Sequence, residues 1–348
     1  MVLQITTHVR RLDCENTPPA TRLANTKPKV RNGIQAASRR RRARATGGSH
    51  HPRYAVEHAK QKSTAKYPPP SINIELSRSS GDVEMSDSTS AISMSTVTLP
   101  RYLSRPAFRE LSKETISAVA PELADTELNY IRDGLQCLGP DMLQVLAGVK
   151  AEPISNVLPK DLPAVVNDLS SDMPTHMLAV YSRQVNATTK RRVTLFPIHN
   201  IILAAHCANL PMLPTSNVAH PETAGSSISV PVVPLCIPAP EVFPQLSTFL
   251  YTKRIDHLLA SLLPSPVPQQ LYRDDPTSDS VHNLLQQFAS KLATTYSDKA
   301  LLAHAMAVNG LWRNACALGI DDEKLWCALD VAWEVLITAL AISTGKQL

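Results

Sequence analysis

Apolar residues follow a regular pattern only in the later part of the chain. Residues 1–98 show no sustained apolar period and are rich in Ser, Thr, Pro, Arg and Ala. From Leu99 onward, apolar residues recur at the spacing of helices and strands. A segment with few apolar side chains to bury cannot offset the entropy that ordering would cost. We therefore predict a disordered, basic and serine-rich tail over residues 1–98, followed by a folded region.

The first folded part, residues 99–150, has helical spacing. Ser104 is a residue type that caps helices, and Pro121 suits the first turn of a second helix. The dipeptide Gly139-Pro140 is expected to end that second helix, so that a short third helix follows it. The pattern predicts a small helical segment.

Strands are expected in the middle of the chain. Residues 151–175 carry four prolines and are predicted to form a proline-rich connector. Met177–Tyr181 and Arg191–Phe196 are short apolar runs separated by a polar turn, which predicts a hairpin. Val230–Ile237 is apolar and β-branched, but its two prolines predict an edge strand, because proline cannot donate to a β-ladder.

Helices are predicted around that strand and at the end of the chain. Ile201–Cys207 and Pro240–Lys253 each have one apolar face at helical spacing. Residues 265–348 contain three longer runs of this kind and are predicted to form C-terminal helices that pack on residues 176–264. The predicted fold class is α+β and mainly α-helical.

Four short motifs in the middle region point to a known fold. They are Phe196-Pro197-Ile198-His199, Leu203-Ala204-Ala205-His206-Cys207, Phe243-Pro244-Gln245-Leu246 and Phe249-Leu250-Tyr251-Thr252-Lys253. Together they resemble the BTB/POZ fold, whose members show F-x-x-H, then L-A-A-R-S, then F-x-x-L-L-x-Y-L-Y-T-G. The resemblance implies a divergent BTB/POZ-like domain over residues 176–264 with flanking helices. The alternative is an unrelated helical domain with a chance match.

The resemblance also implies which side chains form the core of this region. They are Phe196, His199, Leu203, Phe243, Leu246, Leu250 and Tyr251. The chain departs from the family pattern at three positions. His206 stands where the family has Arg, Cys207 where it has Ser, and Lys253 where it has Gly.

Two further stretches point to a narrower family. One is Leu99-Pro100-Arg101-Tyr102-Leu103-Ser104-Arg105-Pro106, and the other runs from Leu325 to Leu336 as Leu-Trp-Cys-Ala-Leu-Asp-Val-Ala-Trp-Glu-Val-Leu. With the basic tail, they resemble the Clampless proteins of mushroom-forming fungi. The resemblance implies a role in sexual development, downstream of homeodomain mating-type factors, where clamp connections form. It brings no catalytic residues with it.

Charge is segregated along the chain. The net charge is +5, yet residues 1–66 alone hold 15 Lys and Arg against 3 Asp and Glu. The densest part is the arginine run, defined as Arg39, Arg40, Arg41, Arg42 and Arg44. Clustered guanidinium groups bind acidic grooves of import receptors or phosphates. We predict a nuclear localisation signal and a nuclear protein. Non-specific contact with nucleic acid and a simply solvated charge run are the alternatives.

Catalytic and metal chemistry find little support in the sequence. The glycine-rich phosphate loops, the H-E-x-x-H motif and the G-x-S-x-G motif do not occur. His199, His206 and Cys207 have a spacing that matches no standard zinc site, so we expect His199 to be a hydrogen-bonded histidine at a strand-to-helix corner. The six cysteines form no C-x-x-C pair, and no signal peptide opens the chain, which favours reduced thiols inside the cell. We predict a protein without enzymatic activity, cofactor or metal.

The apolar stretch 325–342 raises the question of a membrane. Asp330 and Glu334 lie inside it, one helical turn apart. An acid at the centre of a membrane helix costs about 2.5–3.5 kcal/mol, so we predict a helix that does not cross a membrane. Trp326 and Trp333 lie on the opposite seam. They are predicted either to pack in the core or to form a partner surface.

These patterns lead to a functional hypothesis. We expect a non-catalytic nuclear regulator of fungal sexual development that acts through protein–protein contacts, with transcription factors among its partners and self-association into a homodimer. Two alternatives remain open. One is salt-sensitive, non-specific DNA binding through the tail. The other is an adaptor for a cullin ubiquitin ligase, a role that some BTB proteins have.

Overall fold

A computed structural model describes residues 2–5, 71–76, 95–107, 109–151, 157–183, 191–216, 218–273 and 279–346. The strands are β1 Val2–Ile5, β2 Ser71–Leu76, β3 Ser95–Pro100, β4 Val149–Ala151, β5 Asp161–Val166, β6 His176–Tyr181, β7 Arg191–Ile198 and β8 Ser226–Cys236. The α-helices are α1 Lys113–Val119, α2 Leu128–Ala147, α3 Asn200–His206, α4 Phe243–Thr252, α5 Ile255–Leu262, α6 Gln270–Arg273, α7 Asp279–Thr295, α8 Asp298–Leu318 and α9 Glu323–Ser343. Helices and a mixed sheet in one chain confirm the predicted α+β class.

The main sheet has six strands in the order β1-β7-β6-β8-β5-β4. β6 and β7 pair antiparallel, with Leu178 opposite Phe196, which confirms the predicted hairpin. β6 and β8 pair parallel, and α3 lies in the connection between β7 and β8. The helix predicted at residues 201–207 is therefore confirmed and lies within the crossover that a parallel pair requires.

β8 lies in the middle of the sheet, so the predicted edge position is wrong. Residues 226–231 of β8 pair with β5, and residues 232–236 pair with β6. Each half of the strand thus has a registered partner on one side only. A proline whose nitrogen faces the other side removes no ladder hydrogen bond, which makes Pro231 and Pro234 compatible with a central strand.

Residues 151–175 were predicted to form a connector, but the middle of this range forms a strand. β5 lies between β8 and β4, and its buried residues Leu162, Ala164 and Val166 alternate with more exposed neighbours. Pro163 falls on the exposed face of this strand. The four prolines suggested a loop, but residues 161–166 are buried at every second position, as in a strand with one face against the core.

Short strands also lie inside the range predicted as an unfolded tail. β1 pairs antiparallel with β7, and β2 pairs antiparallel with β3. β2 reads Ser-Ile-Asn-Ile-Glu-Leu, in which polar and apolar residues alternate with the period of a strand. The mean composition of the long segment concealed this short alternation. The arginine run lies outside the described residues.

The helices between residues 99 and 150 differ from the prediction. Ser104 lies in an extended segment, and the first helix starts later, where the hydroxyl of Ser112 accepts from the backbone N–H of Glu114. α2 continues through Pro140 as one helix of 20 residues. Its buried face runs without a break past the proline, so tertiary packing outweighs a penalty of about 3 kcal/mol for proline inside a helix.

One apolar core joins the sheet to the C-terminal helices. Leu178 and Val180 of β6 enter the same cluster as Leu329 of α9. The alternate residues Met177 and Ala179 enter a second cluster on the other face of the sheet. α9 packs against α5, α6, α7 and α8, which makes it the central helix of the C-terminal part.

Candidate functional site

His199 and Tyr251 form a closed hydrogen-bond network at the corner between β7 and α3. The His199 backbone N–H donates to the Tyr251 hydroxyl oxygen over 2.9 Å, and its Nδ1 lies 3.1 Å from that oxygen. Its Nε2 lies 2.9 Å from the Asp172 carbonyl oxygen, so Nε2 carries the proton. Burial lowers the pKa of His199, so its ring is neutral and Nδ1 accepts from the tyrosine hydroxyl. His199 is thus a hydrogen-bonded histidine, as predicted.

The other side chains that the BTB/POZ resemblance placed in the core meet around this pair. The Phe196 and Phe243 rings lie 5.2 Å apart between centroids. Leu203, Leu246 and Leu250 are buried, and Phe196 is half-buried against the same cluster. The predicted residues therefore share one core. The BTB/POZ resemblance itself stays a prediction.

Lys253 ends α4 in a left-handed conformation, with φ of 52°. Its N–H donates to the Phe249 carbonyl over 2.7 Å, which closes the last turn of the helix. A side chain in this conformation costs about 1–2 kcal/mol, which is why glycine is common there. The position is the one where the BTB/POZ pattern has glycine. The lysine must therefore be held by contacts elsewhere.

Those contacts form a buried polar junction, defined as Arg132, His206, Lys253 and Asp322. Lys253 Nζ donates to Asp322 Oδ2 over 2.7 Å and to His206 Nδ1 over 3.2 Å. The second carboxylate oxygen of Asp322 accepts from the backbone N–H of Leu325 and caps α9. Arg132 donates from Nε to the Ala205 carbonyl over 2.8 Å. The junction therefore ties α2, α3 and α4 to the start of α9.

The electrostatics of the junction follow from its burial. Burial lowers the pKa of Lys253, and the Asp322 carboxylate opposes that shift. Burial also opposes the charge of Asp322, yet Lys253 holds the pKa of this carboxyl below its ordinary value. For His206, burial and the charges of Lys253 and Arg132 lower the pKa to about 3. The imidazole is thus neutral, and its Nε2 has no hydrogen-bond partner among the described residues.

Cys207 follows His206 of the junction in the sequence, and its thiol is unreactive. Burial raises the pKa of its thiol to about 12, so the thiolate that would act as a nucleophile or ligand is not formed. Cys207 forms a single β-bridge with Ile320. Within the residues that the structure describes, no three His, Cys, Asp or Glu side chains come together as a metal site.

An extended strap crosses α9 on its polar side. We define the strap as residues 99–107. The Arg101 guanidinium donates to both carboxylate oxygens of Glu334 over 2.5 Å. Arg105 donates to Glu323 over 2.9 Å and to Asp330 over 2.8 Å. Asp330 and Glu334, the two acids noted within the apolar stretch of this helix, are therefore paired with arginines of the strap.

All three tryptophans of the chain contact the strap. Trp333 Nε1 donates to the Arg101 carbonyl over 3.3 Å, and Trp312 Nε1 donates to the Ser104 carbonyl over 2.9 Å. The Arg105 guanidinium lies 6.0 Å from the centroid of the Trp326 ring. Trp326 and Trp333 are only 3% and 2% exposed. The structure thus places both in the core, the first of the two predicted alternatives.

The burial of α9 bears on whether this helix crosses a membrane. By length and composition, this helix of the described chain could cross a membrane, but 72% of its apolar window is buried inside the protein. A core helix passes the same composition test. The apolar character of α9 is accounted for by its central place among α5 to α8.

An open cleft of about 570 Å³ lies beside the junction, between α1 and the start of α2. Its buried floor includes Ile116 and Ile131. Four carboxylates and two cations line it, namely Glu110, Asp125, Glu127, Asp321, Lys113 and Arg132. The cleft therefore combines an apolar floor with a predominantly acidic rim. Sequence reasoning missed this cleft, because its lining comes from three separate stretches of chain.

Comparison with known proteins gives the family. The model of the Clampless protein 1 N-terminal domain matches residues 106–238, and that of the Clampless protein 1 C-terminal domain matches residues 256–348. Clampless protein 1 of Cryptococcus neoformans var. neoformans serotype D, from strain JEC21 / ATCC MYA-565, is 28% identical over 117 residues. The protein of the same name from strain B-3501A has the same identity over the same length.

These curated relatives are matched only in part. The aligned stretch covers 33% of this chain and 21% of each relative. No solved structure matches the chain. The two domain models are the broader match, because together they span more than half of the residues. The chain therefore belongs to the Clampless family.

Proposed function

We propose that this chain is a non-catalytic nuclear protein that acts in fungal clamp formation through contacts with other proteins. The observation that carries the proposal is the match of both Clampless domain models along the chain. Family membership suggests the role in clamp formation. The nuclear site of action and the mode of action are inferred from the arginine run and from the surfaces described above.

Gene replacement in a clamp-forming fungus tests the role. Deletion of the gene should abolish clamp connections in mated hyphae, and the full chain should restore them. A strain that carries the same expression cassette without the coding sequence is the control. Normal clamp formation in the deletion strain, in the absence of a second copy of the gene, would contradict the proposal.

The buried polar groups support a non-catalytic role. Lys253 donates to both Asp322 and His206, and both ring nitrogens of His199 are bonded, to Tyr251 and Asp172. Burial raises the pKa of the Tyr251 hydroxyl well above its ordinary value, which makes it a poor acid at neutral pH. These groups are arranged to hold helices together. A general acid or base needs a pKa near the working pH and access to a substrate.

We place a basic segment of the partner in the cleft beside α1. The exposed acids Asp125 and Glu127 line the cleft, whereas Glu122, on the same loop region, does not. The double variant Asp125→Lys, Glu127→Lys should recover less of the partner proteins from nuclear extract than the unchanged full chain does. The Glu122→Lys variant should not. Equal recovery by all three chains, measured by quantitative mass spectrometry, would rule out the cleft as the docking site.

The arginine run is proposed to direct the chain to the nucleus. Replacing Arg39, Arg40, Arg41, Arg42 and Arg44 by alanine should move a fluorescent fusion of the full chain into the cytoplasm. Replacement by lysine keeps the charge and should preserve nuclear accumulation. Nuclear accumulation of the alanine variant would show that import does not depend on this run.

Two other functions would leave different traces. Binding of DNA through the tail should weaken steeply as salt rises and should ignore the DNA sequence, because released counterions drive it. An adaptor for a ubiquitin ligase should co-purify with a cullin. Self-association is measured on the purified full chain by sedimentation, where a homodimer doubles the monomer mass.

A further inference from the structure

We propose that Ser104 is a phosphorylation site and that phosphate on Ser104 releases the strap from α9. The proposal rests on the local sequence, the exposure of the residue, and the charges that face it. It is independent of the proposed role in clamp formation.

The sequence around Ser104 suits a serine kinase that selects basic substrates. Arg101 lies three residues before the hydroxyl, Arg105 lies directly after it, and Pro106 follows. Cations at these positions are attracted by a kinase groove lined with acids. Ser104 is exposed and lies in a segment outside helices and strands.

The arginines near Ser104 are paired with acids of α9. Glu323, Asp330 and Glu334 lie along α9 and bond to the two arginines that flank the serine. A phosphoserine carries a charge of about −1.5 to −2 at neutral pH. Placed beside carboxylates it is repelled, and placed beside arginines it competes for them. Both effects act against the ion pairs that hold the strap on the helix.

At its start the strap is fixed by β3, where Leu99 is buried and pairs with β2, but residues 101–107 have few attachments besides the ion pairs. Leu103 is buried, and the carbonyls of Arg101 and Ser104 each accept one indole N–H. Residues 103–107 form no helix or strand. The ion pairs are therefore the charged contacts that fix residues 101–107 on α9, and we expect their loss to weaken the hold of this segment on the helix.

The chemical step is an ordinary phosphoryl transfer. The Ser104 Oγ attacks the γ-phosphorus of a nucleoside triphosphate bound to the kinase, so that an Oγ–P bond forms. The bond from that phosphorus to the β,γ-bridging oxygen breaks, nucleoside diphosphate leaves, and the hydroxyl proton passes to the kinase base. Because Arg101 is paired with Glu334, the kinase acts on those copies of the protein in which the strap has transiently left α9. The phosphate then keeps the strap away from the helix.

Tryptophan emission reports the strap directly, since all three tryptophans contact it. The full chain is incubated with cyclic-AMP-dependent protein kinase and ATP, and phosphate is located by mass spectrometry. We expect phosphate on Ser104 and a red shift of the emission towards that of solvated indole. The Ser104→Ala variant, which changes an exposed side chain, should fold normally and show no red shift under the same treatment.

A second variant calibrates the readout. Arg101→Gln combined with Arg105→Gln removes the ion pairs without phosphate and should produce the same red shift. If the kinase leaves Ser104 unmodified in the native chain, the site is not a substrate and the proposal fails. If Ser104 is modified while the emission stays unchanged and the double variant does shift it, the phosphate does not release the strap.

Discussion

Two sets of ion pairs hold α9 in place, and they differ in their access to water. At the junction, the side chains of Lys253 and Asp322 are 6% and 13% exposed. At the strap, those of Arg105 and Glu323 are 41% and 79% exposed. The Arg101–Glu334 pair of the strap is intermediate, with side chains 15% and 30% exposed. Water can replace a lost partner of Arg105 but not a lost partner of Lys253. The comparison indicates that the junction is a permanent part of the core, whereas the strap is a contact that can be undone.

The largest expected effect is the loss of the anion at the junction. Asp322→Asn keeps a good helix cap but leaves the buried Lys253 ammonium without a counter-ion. We expect the free energy of unfolding, measured by urea denaturation, to fall by roughly 3–5 kcal/mol. Asp321→Asn changes the exposed neighbour and should have little effect. Equal stability of the two variants would mean that the junction is not desolvated.

Acid should destabilise the fold through the junction. The folded chain holds His206 neutral down to a pH of about 3, whereas the unfolded chain binds that proton at the ordinary pKa of 6.5. Falling pH therefore favours the unfolded chain, and stability is lost as pH drops below about 6.5. The lowered pKa values of His176 and His199 act in the same direction.

The slope of this loss identifies its source. Each fully coupled histidine contributes up to about 1.4 kcal/mol per pH unit. Urea unfolding between about pH 7 and 4.5 avoids most carboxylate titration. His206→Gln should flatten the slope, although it lowers stability at neutral pH. An equal slope in wild type and His206→Gln would remove His206 as the cause.

Much of the fold could be predicted from local pattern, and the parts that could not depend on distant partners. The hairpin of β6 and β7 and the long C-terminal helices follow from apolar period alone. The central place of β8 depends on where β5 and β6 end. Likewise, α2 continues through Pro140 because its buried face meets other elements on both sides of the proline. Neither the position of β8 in the sheet nor the continuation of α2 can be predicted from the neighbouring residues in the sequence.

The candidate site divides in the same way. His199 and Tyr251 were predicted as core residues, and they are buried and hydrogen-bonded to each other. The departure at Lys253 was visible in the sequence, but its partner Asp322 lies 69 positions further on. For the strap, the acids of α9 were noted one turn apart, yet nothing in their spacing names Arg101 or Arg105. Long-range charge pairing is therefore what the sequence analysis missed.

Packing at the junction can be separated from its charges with two glycines of one helix. A Cβ at Gly139 would lie 2.0 Å from the Tyr251 carbonyl oxygen, whereas a Cβ at Gly134 would have no atom within 4 Å. Gly139→Ala should destabilise the fold by about 1–3 kcal/mol through overpacking against backbone. Gly134→Ala should stabilise it by about 0.4–1 kcal/mol, since alanine has less freedom to lose on folding.

The same denaturation curves measure both glycine variants, and each serves as the control for the other. Both replacements raise intrinsic helix propensity by the same amount, so propensity cancels in their difference. Opposite signs would confirm close contact between α2 and the end of α4. Stabilisation by both variants would show that α2 can move away from α4 without a cost in free energy. The packing around the junction would then be less tight than its ion pair suggests.

The smallest expected effect belongs to the strap. Arg105→Gln removes exposed ion pairs to Glu323 and Asp330, and the free energy of unfolding should change by no more than about 1 kcal/mol. High salt should shrink that difference further, because the screening length falls to about 3 Å at 1 M. Arg313→Gln, another exposed arginine of the C-terminal part, is the matched control. A loss as large as that of Asp322→Asn, and insensitive to salt, would mean that the strap belongs to the core and cannot open without unfolding the protein.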